Sequence, residues 1–342
     1  MRLSIESLRM TLVSLVLLGA IPQAGAYPIS PVPLWDLTRE ADMIVLADVL
    51  DVVPATGPFP VSMLDAPSSS RIDGAGSMAL LRVRESWKGE VLAAVNVNFD
   101  SNMMCPAAPR YAKGKVVAAF LGREEDHWST VALSYGTLYP AAGEIEDFRA
   151  RVKEAVELQA RPELDPEDKT EWLVRAASRP STRWHGLYEL IPESDGLHFY
   201  YDQKGGTRTG REHLTPAQLT RIARGFVTQP SVDRTLPMIL SLFQDLPYHA
   251  FDRAAIAVVE ALLLRDTVPW WFDDALEPLL KRLGDPDPES RLRSVRERFE
   301  RKDMKALREI WKQTKKDLDL PEVPAARDQA AEVWGVGSNT PD

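Results

Sequence analysis

The sequence predicts an α+β protein of more than one domain, with a small β-barrel in its N-terminal half and an antiparallel array of helices in its C-terminal half. Two observations lead to this prediction. Before about residue 140, apolar residues alternate with polar ones or form short runs bounded by Gly and Pro, as in strands. After residue 146, apolar residues recur every three or four positions, as in amphipathic helices. The 342 residues suffice for two domains of ordinary size.

The first 26 residues have the pattern of an export signal. Two arginines flank the start, residues 11–20 form an apolar core, and Ala24 to Ala26 fit a small-x-small cleavage site. This core is about half as long as the roughly 20 residues that a membrane-spanning helix needs. We therefore expect a signal peptide at 1–26 and export to the periplasm or the extracellular space. No integral membrane segment is expected after signal cleavage.

Composition and charge limit the class of protein. Hydrophobic residues make up 44% of the chain and charged residues 27%, which is typical of a globular protein. The net charge of -9 argues against a general nucleic-acid binder, because neutralising phosphates requires a basic face. Cys105 is the only cysteine, so an internal disulfide is excluded and stability must come from packing.

Strand patterns fill the first half after a short predicted helix at 34–41. Residues 43–53 are apolar on both faces, which is typical of a strand buried on two sides. Strands are expected at 43–53, 80–89, 91–100, 115–122 and 129–134, with loops at 54–76 and 101–113. Five strands with short turns favour a small closed or partly open barrel.

Two of these strands have defined faces. Leu81, Val83 and Trp87 are expected to share one strand face that points to the core, with Gly89 permitting the following turn. In the strand at 91–100, alternation predicts one apolar face and one solvent-facing face. The apolar face has Val91, Ala93, Val95, Val97 and Phe99, and the solvent-facing one has Ala94, Asn96, Asn98 and Asp100.

The order of these motifs resembles the netrin-like, or metalloproteinase-inhibitor-like, OB barrel. The matching residues are Ala41-Asp42, Val83, Trp87-Lys88-Gly89, Cys105, and Lys113 to Leu121. The resemblance covers about residues 34–140 and implies an OB-like β-barrel domain, which we place at 34–145. Inhibitors of that family present an N-terminal cysteine to the protease metal, whereas this mature chain would begin with Tyr27. The resemblance therefore implies the fold and gives little support to metalloproteinase inhibition.

Helical patterns follow from residue 146 onward. Helices are expected at 146–158, 168–178, 181–190, 215–228, 231–245, 249–265, 269–283, 288–302 and 304–318, with a small hairpin at 197–210. Residues 249–264 are apolar on most sides and should form the central buried helix. Short connections favour an antiparallel array. We place a helical domain at 146–320 and a flexible tail at 321–342.

Residues 279–291 resemble a HEAT repeat, in which a leucine-rich helix is followed by an Asp-Pro turn and a helix with an early arginine. Gly284 is a good helix stop, and Asp-Pro is a good start for the next helix. In that family the Asp and Arg form a ladder between neighbouring repeats, and here Asp285 and Arg291 would be the matching residues. The resemblance implies a HEAT-like helical stack that presents an extended surface to partners.

No motif gives a firm indication of catalysis, and no catalytic, cofactor-binding or metal-ligating residue is predicted. None of the five histidines lies three or four residues from another, so a metal pair on one helix is excluded. Cys105 has no neighbouring positive charge to activate it, which favours a buried or idle thiol. Acidic clusters at 124–126 and 144–147 could supply paired carboxylates, although solvated charge is favoured at element ends.

The strongest charge feature lies between residues 289 and 316, where eleven Lys or Arg stand against five Asp or Glu. Such a segment could bind an anionic partner. The candidate partner-binding residues are Arg291, Arg293, Arg296, Arg298, Arg301, Lys305, Arg308 and Lys312. A solvated pair of terminal helices is favoured instead. Its expected ion pairs are Arg293/Glu297, Glu297/Arg301 and Lys305/Glu309. The aromatic run at 270–272 could be a recognition patch, but burial in the core is favoured.

These patterns favour an exported, non-catalytic binding or interaction protein of the cell envelope or extracellular space, without a cofactor. Its expected partner is a protein or an anionic envelope polymer, not nucleic acid. This step rests on analogy between folds. Two alternatives stay open: a hydrolase with a carboxylate-based or Cys105-based site between the two halves, and a protease inhibitor that uses the barrel.

Overall fold

The computed structural model of the chain describes residues 31–54, 76–101, 107–124, 127–191, 210–244 and 246–324. The protein is α+β, with a closed five-stranded barrel in the N-terminal half and helices in the C-terminal half. Several predictions lie outside the described residues: the signal peptide, the hairpin at 197–210, Cys105, nearly all of the loop at 54–76, and most of the tail. No helix within the described ranges is both long and apolar enough to cross a membrane.

The barrel is formed by five strands and is preceded by one short helix. The helix is α1 (Leu34–Glu40), and the strands are β1 (Met43–Pro54), β2 (Ser77–Lys88), β3 (Ala94–Phe99), β4 (Val116–Glu124) and β5 (His127–Thr130). The hydrogen-bonded order is β1-β2-β3-β5-β4, and β4 pairs again with β1 to close the barrel. All these pairings are antiparallel except that of β3 with β5. A two-residue strand, β6 (Thr137–Leu138), also pairs with β4.

Strand β1 is buried on both faces, as the sequence predicted. Met43 and Val45 point into the barrel, whereas Ile44 and Leu46 pack on its outside against the helical half. The interior is completed by small and medium apolar side chains from the other strands, which fill the narrow lumen of a small barrel. These side chains are Ala79, Leu81, Val95, Val97, Val117, Ala119 and Leu121.

Two predictions for the third strand were wrong. The strand begins at Ala94, three residues later than expected, and Val91 is 87% exposed before it. The face expected to meet solvent is largely covered, since Asn98 and Ala94 are both buried. The alternation of apolar and polar residues correctly separated the two faces of this strand. It could not show that both faces would be covered by other parts of the protein.

Trp87, Lys88 and Gly89 join the barrel to α1. Trp87 does not share the face of Leu81 and Val83, because the pairing of β1 with β2 shifts at two points and turns Trp87 to the outside. The Lys88 ammonium donates hydrogen bonds to the carbonyls of Thr38 (2.7 Å) and Ala41 (2.5 Å), at the C-terminal end of α1. Gly89 has φ of +81°, and a Cβ here would lie 2.4 Å from the Asp42 carbonyl oxygen.

Nine further helices lie within the described residues of the C-terminal half. They are α2 (Ile145–Gln159), α3 (Pro166–Ala177), α4 (Arg183–Leu190), α5 (Pro216–Thr228), α6 (Thr235–Leu242), α7 (His249–Leu263), α8 (Phe272–Arg282), α9 (Pro288–Glu300) and α10 (Met304–Asp317). The largest errors in the predicted bounds are at α6, where the four residues before Thr235 and the two described residues after Leu242 are not helical. Three helices begin with proline after a side-chain cap, from Asp165, Thr215 and Asp287. The starts of α5 and α9 were predicted to within one residue, whereas α3 begins two residues before its predicted start at 168.

The helical core extends to the outer wall of the barrel. Helix α7 is its central element, as predicted, with Phe251, Ile256, Val259 and Leu262 all buried. Trp35 of α1 packs edge-on against Trp172 of α3, with ring centroids 5.2 Å apart. Because Leu46 and Phe120 of the barrel belong to the same cluster of buried residues, the outer wall of the barrel and the helices share one continuous apolar core.

A bidentate ion pair also ties α2 to the barrel. Arg149 donates from Nε and Nη2 to the two carboxylate oxygens of Glu85, at 2.7 and 2.6 Å. The indole N–H of Trp87 donates to Glu85 as well, at 3.0 Å. These donors lower the pKa of the Glu85 carboxyl, and the Arg149 contact is the largest cause. The paired geometry fixes both the distance and the orientation of α2 against the strand.

Candidate binding groove

Among the described residues, an open groove of about 590 Å³ lies on the helical half. Helices α4, α6 and the start of α8 form its walls, and the first described residue of the chain, Pro31, contributes to its rim. The groove is lined by Pro31, Trp184, Tyr188, Arg234, Pro237, Met238, Ser241, Gln244, Trp270, Trp271, Asp274, Glu277, Pro278 and Lys281. Four aromatic rings and three prolines in one lining give it an apolar, rigid floor.

The aromatic residues of the groove differ in their exposure. Trp271 and Tyr188 are buried and join the helical core, so they hold the wall in place. Trp184 stacks at a tilt on Tyr188 with ring centroids 5.0 Å apart, and the Arg234 guanidinium lies 4.6 Å from the Trp184 ring centre. Trp270 is 74% exposed at the edge of the groove. A large exposed indole beside a concave apolar surface is typical of a contact site for a partner.

Charged groups occupy the α8 side of the groove. Lys281 is paired with Glu277 at 2.8 Å, and Asp273, the residue before Asp274, is paired with Arg296 at 2.9 Å. Asp274 is in no ion pair with another described residue. Partial burial, followed by repulsion from Asp273 and Glu277, raises the pKa of the Asp274 carboxyl. A cation brought into the groove would meet this carboxylate.

Pro278 lies inside α8 and changes its hydrogen bonding. A proline has no N–H, so the carbonyl of Asp274, four residues earlier, lacks its usual helical donor. Asp274 and Pro278 both line the groove. The groove lining therefore contains both the Asp274 carboxylate and the proline that interrupts the hydrogen bonding of α8.

The candidate basic residues of α9 and α10 differ in their contacts. Arg291 donates to Asp285 and Thr314, and Arg308 donates to the carbonyls of Leu263 (2.6 Å) and Arg265 (3.0 Å). These contacts give the two arginines structural roles. Of the remaining candidates, Arg296 pairs with Asp273, as noted above. Arg293, Arg301, Lys305 and Lys312 are exposed, and Arg298 is half-buried. Whether any of them binds a partner stays a prediction.

Ion pairs around α9 and α10 differ from those expected within each helix. Lys315 reaches Glu260 of α7 at 2.7 Å and Glu322 at 2.9 Å, and Arg291 reaches Asp317 at 3.2 Å. These pairs join different elements and therefore contribute to packing of the terminal helices. Asp285 and Arg291 do contact each other, at 2.6 Å. Their contact lies within one turn and helix, not between neighbouring repeats.

The acidic clusters considered for catalysis are engaged in local structure. Glu144 accepts from the backbone N–H of Ala141 at 2.9 Å, just before α2. Asp147 accepts from the Ser181 hydroxyl at 2.9 Å, and Glu146 pairs with Arg149. Glu124 accepts from the Ser129 hydroxyl at 2.6 Å across the strand pair. Among the described residues, no group of three His, Cys, Asp or Glu side chains could hold a metal ion.

Two buried charges lie beneath the groove wall in α4. The Glu189 carboxylate is fully buried 2.5 Å from the Lys169 ammonium, and burial raises its pKa. The Arg183 guanidinium is also fully buried, where it donates to Ser231 and to the carbonyls of Gly225 (3.3 Å) and Gln229 (3.1 Å). Burial lowers the pKa of Arg183 to about 10. Both groups anchor α4 to its neighbours.

Sequence reasoning missed Trp270 as a surface residue. The run at 270–272 was expected in the core, and Trp271 and Phe272 are indeed buried there. A signal was available, because successive positions at a helix start point in directions about 100° apart. Three consecutive aromatic side chains therefore cannot all face the same core.

No protein-family model matches the sequence, and no curated protein matches it either.

Proposed function

We propose that the protein is an exported binding protein without chemistry of its own, and that the groove between α4, α6 and α8 is its binding site for a partner protein. The observation that carries this proposal is the exposed Trp270 at the edge of an aromatic groove of about 590 Å³. Exposed aromatic residues beside buried anchors are typical of residues that dominate binding energy in interfaces. Export remains part of the proposal and rests on the pattern of residues 1–26.

The resemblances to the netrin-like OB barrel and to HEAT repeats are part of the same proposal. The barrel closes with parallel β3 and β5, in an order consistent with an OB-like barrel, which supports a netrin-like ancestry for this half. A HEAT-like origin of the helices rests on the sequence pattern of residues 279–291, since the Asp285–Arg291 contact lies within one turn and helix. Both folds commonly present surfaces to partners, which agrees with a binding role without identifying the partner.

The local contacts of the candidate catalytic groups favour binding over hydrolysis. Glu144, Glu146 and Asp147 each support a local element, as described above. The described lining around the carboxylates Asp274 and Glu277 contains no histidine, the Ser241 hydroxyl donates to the Pro237 carbonyl at 3.0 Å, and Lys281 is paired with Glu277. The groove is thus better suited to holding a partner than to performing chemistry on it.

A capture experiment with matched variants tests the proposal. The purified protein is immobilised and exposed to envelope extract, in parallel with Trp270→Ala and Leu264→Ala. Leu264 is the control, because it is 72% exposed on the helical half but lies outside the groove lining. A protein retained by the native chain and Leu264→Ala and lost with Trp270→Ala is then purified and its direct affinity is measured. Absence of any component whose retention depends on Trp270 would contradict the proposal.

The basic residues of α9 and α10 supply a second comparison. The triple variant Arg293→Ala, Lys305→Ala, Lys312→Ala removes three exposed cations that hold no described ion pair. We expect it to retain the same component, because these side chains are not in the groove lining. If retention instead depends on the triple variant and not on Trp270, the partner binds the basic helices and the groove proposal is wrong.

A further inference from the structure

The chemistry of the groove lining restricts the kind of polypeptide that would fit. Trp270, which is 74% exposed, offers a flat ring face beside the groove, which favours contact with the flat, rigid rings of proline. A proline-rich segment is already extended in the polyproline II conformation, so it loses little conformational entropy when it binds. Aromatic-lined grooves are a recurring means of recognising such segments.

The chain itself shows that proline packs on this surface. Pro31 belongs to a proline-rich stretch, from Pro28 to Pro33, and it contributes to the rim of the groove. Pro31 is only partly buried there, and two more prolines, Pro237 and Pro278, belong to the walls. A surface that accommodates Pro31 is compatible in shape with another proline beside it.

Polar groups at the α8 side add a second requirement. An extended segment has unpaired backbone polar groups, and the Asp274 side chain in the groove lining can accept a hydrogen bond from one of its donors. The Asp274 carboxylate is in no ion pair with another described residue, and the nearby Arg296 is paired with Asp273, so Asp274 would accept a Lys or Arg side chain. Glu277, although paired with Lys281, adds to the negative potential there.

We infer that the groove binds an extended, proline-containing segment of the partner that also carries a lysine or arginine, with a proline against Trp270 and the cation at Asp274. This inference rests on the proposed function and specifies the partner class for the same site. An oligosaccharide could also stack on exposed indoles, but it would not supply a cation for Asp274. The favoured occupant is therefore a polypeptide.

Binding of short peptides tests the inference directly. Fluorescein-labelled Pro-Pro-Lys-Pro-Pro is titrated with the purified protein and followed by fluorescence anisotropy. Ala-Ala-Lys-Ala-Ala and Pro-Pro-Glu-Pro-Pro serve as matched peptides, and a tetramer of N-acetylglucosamine is the competing glycan. We expect the first peptide to bind at least about tenfold more tightly than either matched peptide, a difference of about 1.4 kcal/mol.

Variants of the protein separate the two requirements. Trp270→Ala should weaken binding of Pro-Pro-Lys-Pro-Pro about tenfold, whereas Leu264→Ala should leave it unchanged. Asp274→Asn should remove most of the preference for the lysine peptide over the glutamate peptide while retaining the preference for proline over alanine. The Asn side chain keeps the shape of Asp, so a change in this preference reports the charge.

Several outcomes would overturn the inference. They are equal affinity for the proline and alanine peptides, binding that is insensitive to Trp270→Ala, and displacement by the glycan with no peptide binding. The proposed function can fail separately. If Trp270-dependent capture from extract succeeds while no proline peptide binds, only the partner class is wrong. If neither capture nor peptide binding depends on Trp270, both proposals are wrong.

Discussion

The Nδ1 atom of His185 accepts a hydrogen bond from the backbone N–H of Leu34 at 3.1 Å. Leu34 is the first residue of α1, so this donor would otherwise be an unpaired N–H at a buried helix start. A side chain of α4 thus caps a helix that lies 151 positions earlier in the chain. Because an acceptor nitrogen carries no proton, this contact requires His185 to be neutral.

The protein should therefore become less stable as the pH is lowered, to an extent that depends on His185. Burial, followed by repulsion from Arg234, lowers the pKa of His185 from 6.5 to about 3. The unfolded state then binds a proton more readily than the folded state, so the contribution is fully present above pH 6.5 and is lost as pH falls toward 3. Each pH unit in this window corresponds to about 1.4 kcal/mol.

His185→Asn isolates this effect, because the Asn side-chain oxygen can accept from Leu34 and does not titrate in this range. Between about pH 7.5 and about pH 4.5, the native protein should lose roughly 2–3 kcal/mol more unfolding free energy than the variant. Urea unfolding followed by circular dichroism measures both. Equal losses in the two proteins would show that His185 does not remain neutral in the folded state.

Gly89 should tolerate alanine less well than Gly114 does. Both glycines have left-handed φ values, +81° and +78°, so alanine at either position is strained by about 1–2 kcal/mol. At Gly89 the new Cβ would also lie 2.4 Å from the Asp42 carbonyl oxygen, whereas at Gly114 nothing lies within 4 Å. We expect Gly89→Ala to be less stable than Gly114→Ala by about 1–3 kcal/mol in urea unfolding. Similar losses would mean that the turn after Lys88 is not closely packed.

The barrel was predictable from the sequence because its signals are local. Alternation located β2 and β3, and apolar residues on both faces correctly marked β1 as buried on two sides. The direction of Trp87 was not predictable, because it depends on shifts in the pairing of β1 with β2. Such irregularities arise from the partner strand, and one strand read alone contains no signal for them.

The groove was less predictable than the fold. Its walls come from α4, α6 and α8, so Trp184 and Trp270 lie 86 positions apart along the chain and meet only through tertiary packing. The excess of Lys and Arg at 289–316 instead indicated α9 and α10 as the candidate binding surface. There the structure assigns Arg291 and Arg308 to contacts within the helical half. A count of charges does not distinguish a surface arginine from one that donates to a neighbouring helix.

Arg291 and Arg293 provide a direct comparison of these two roles. Arg291 is paired with the buried Asp285 and also contacts Thr314 of α10. Hydrogen bonds to the carboxylates of Asp285 and Asp317 raise the pKa of Arg291. Removing it leaves the Asp285 carboxylate buried without its cation, which should destabilise the protein by about 3–5 kcal/mol. Arg293 is exposed on the same helix, so Arg293→Ala should change the unfolding free energy by less than about 0.5 kcal/mol. Comparable values from urea unfolding would contradict a structural role for the Asp285–Arg291 pair.

Trp270 and Trp271 offer the sharpest test of whether the groove surface is available to a partner. Trp271 is buried in the helical core, so Trp271→Ala leaves a cavity and should destabilise the protein by about 3–5 kcal/mol. Trp270 is 74% exposed and belongs to no buried cluster, so Trp270→Ala should change the unfolding free energy by less than about 0.5 kcal/mol. Urea unfolding of both variants measures the difference. A large loss of stability in Trp270→Ala would mean that the indole is packed against the protein itself. Trp270 would then be a structural residue, and its surface would be unavailable for the contact that the groove proposal requires.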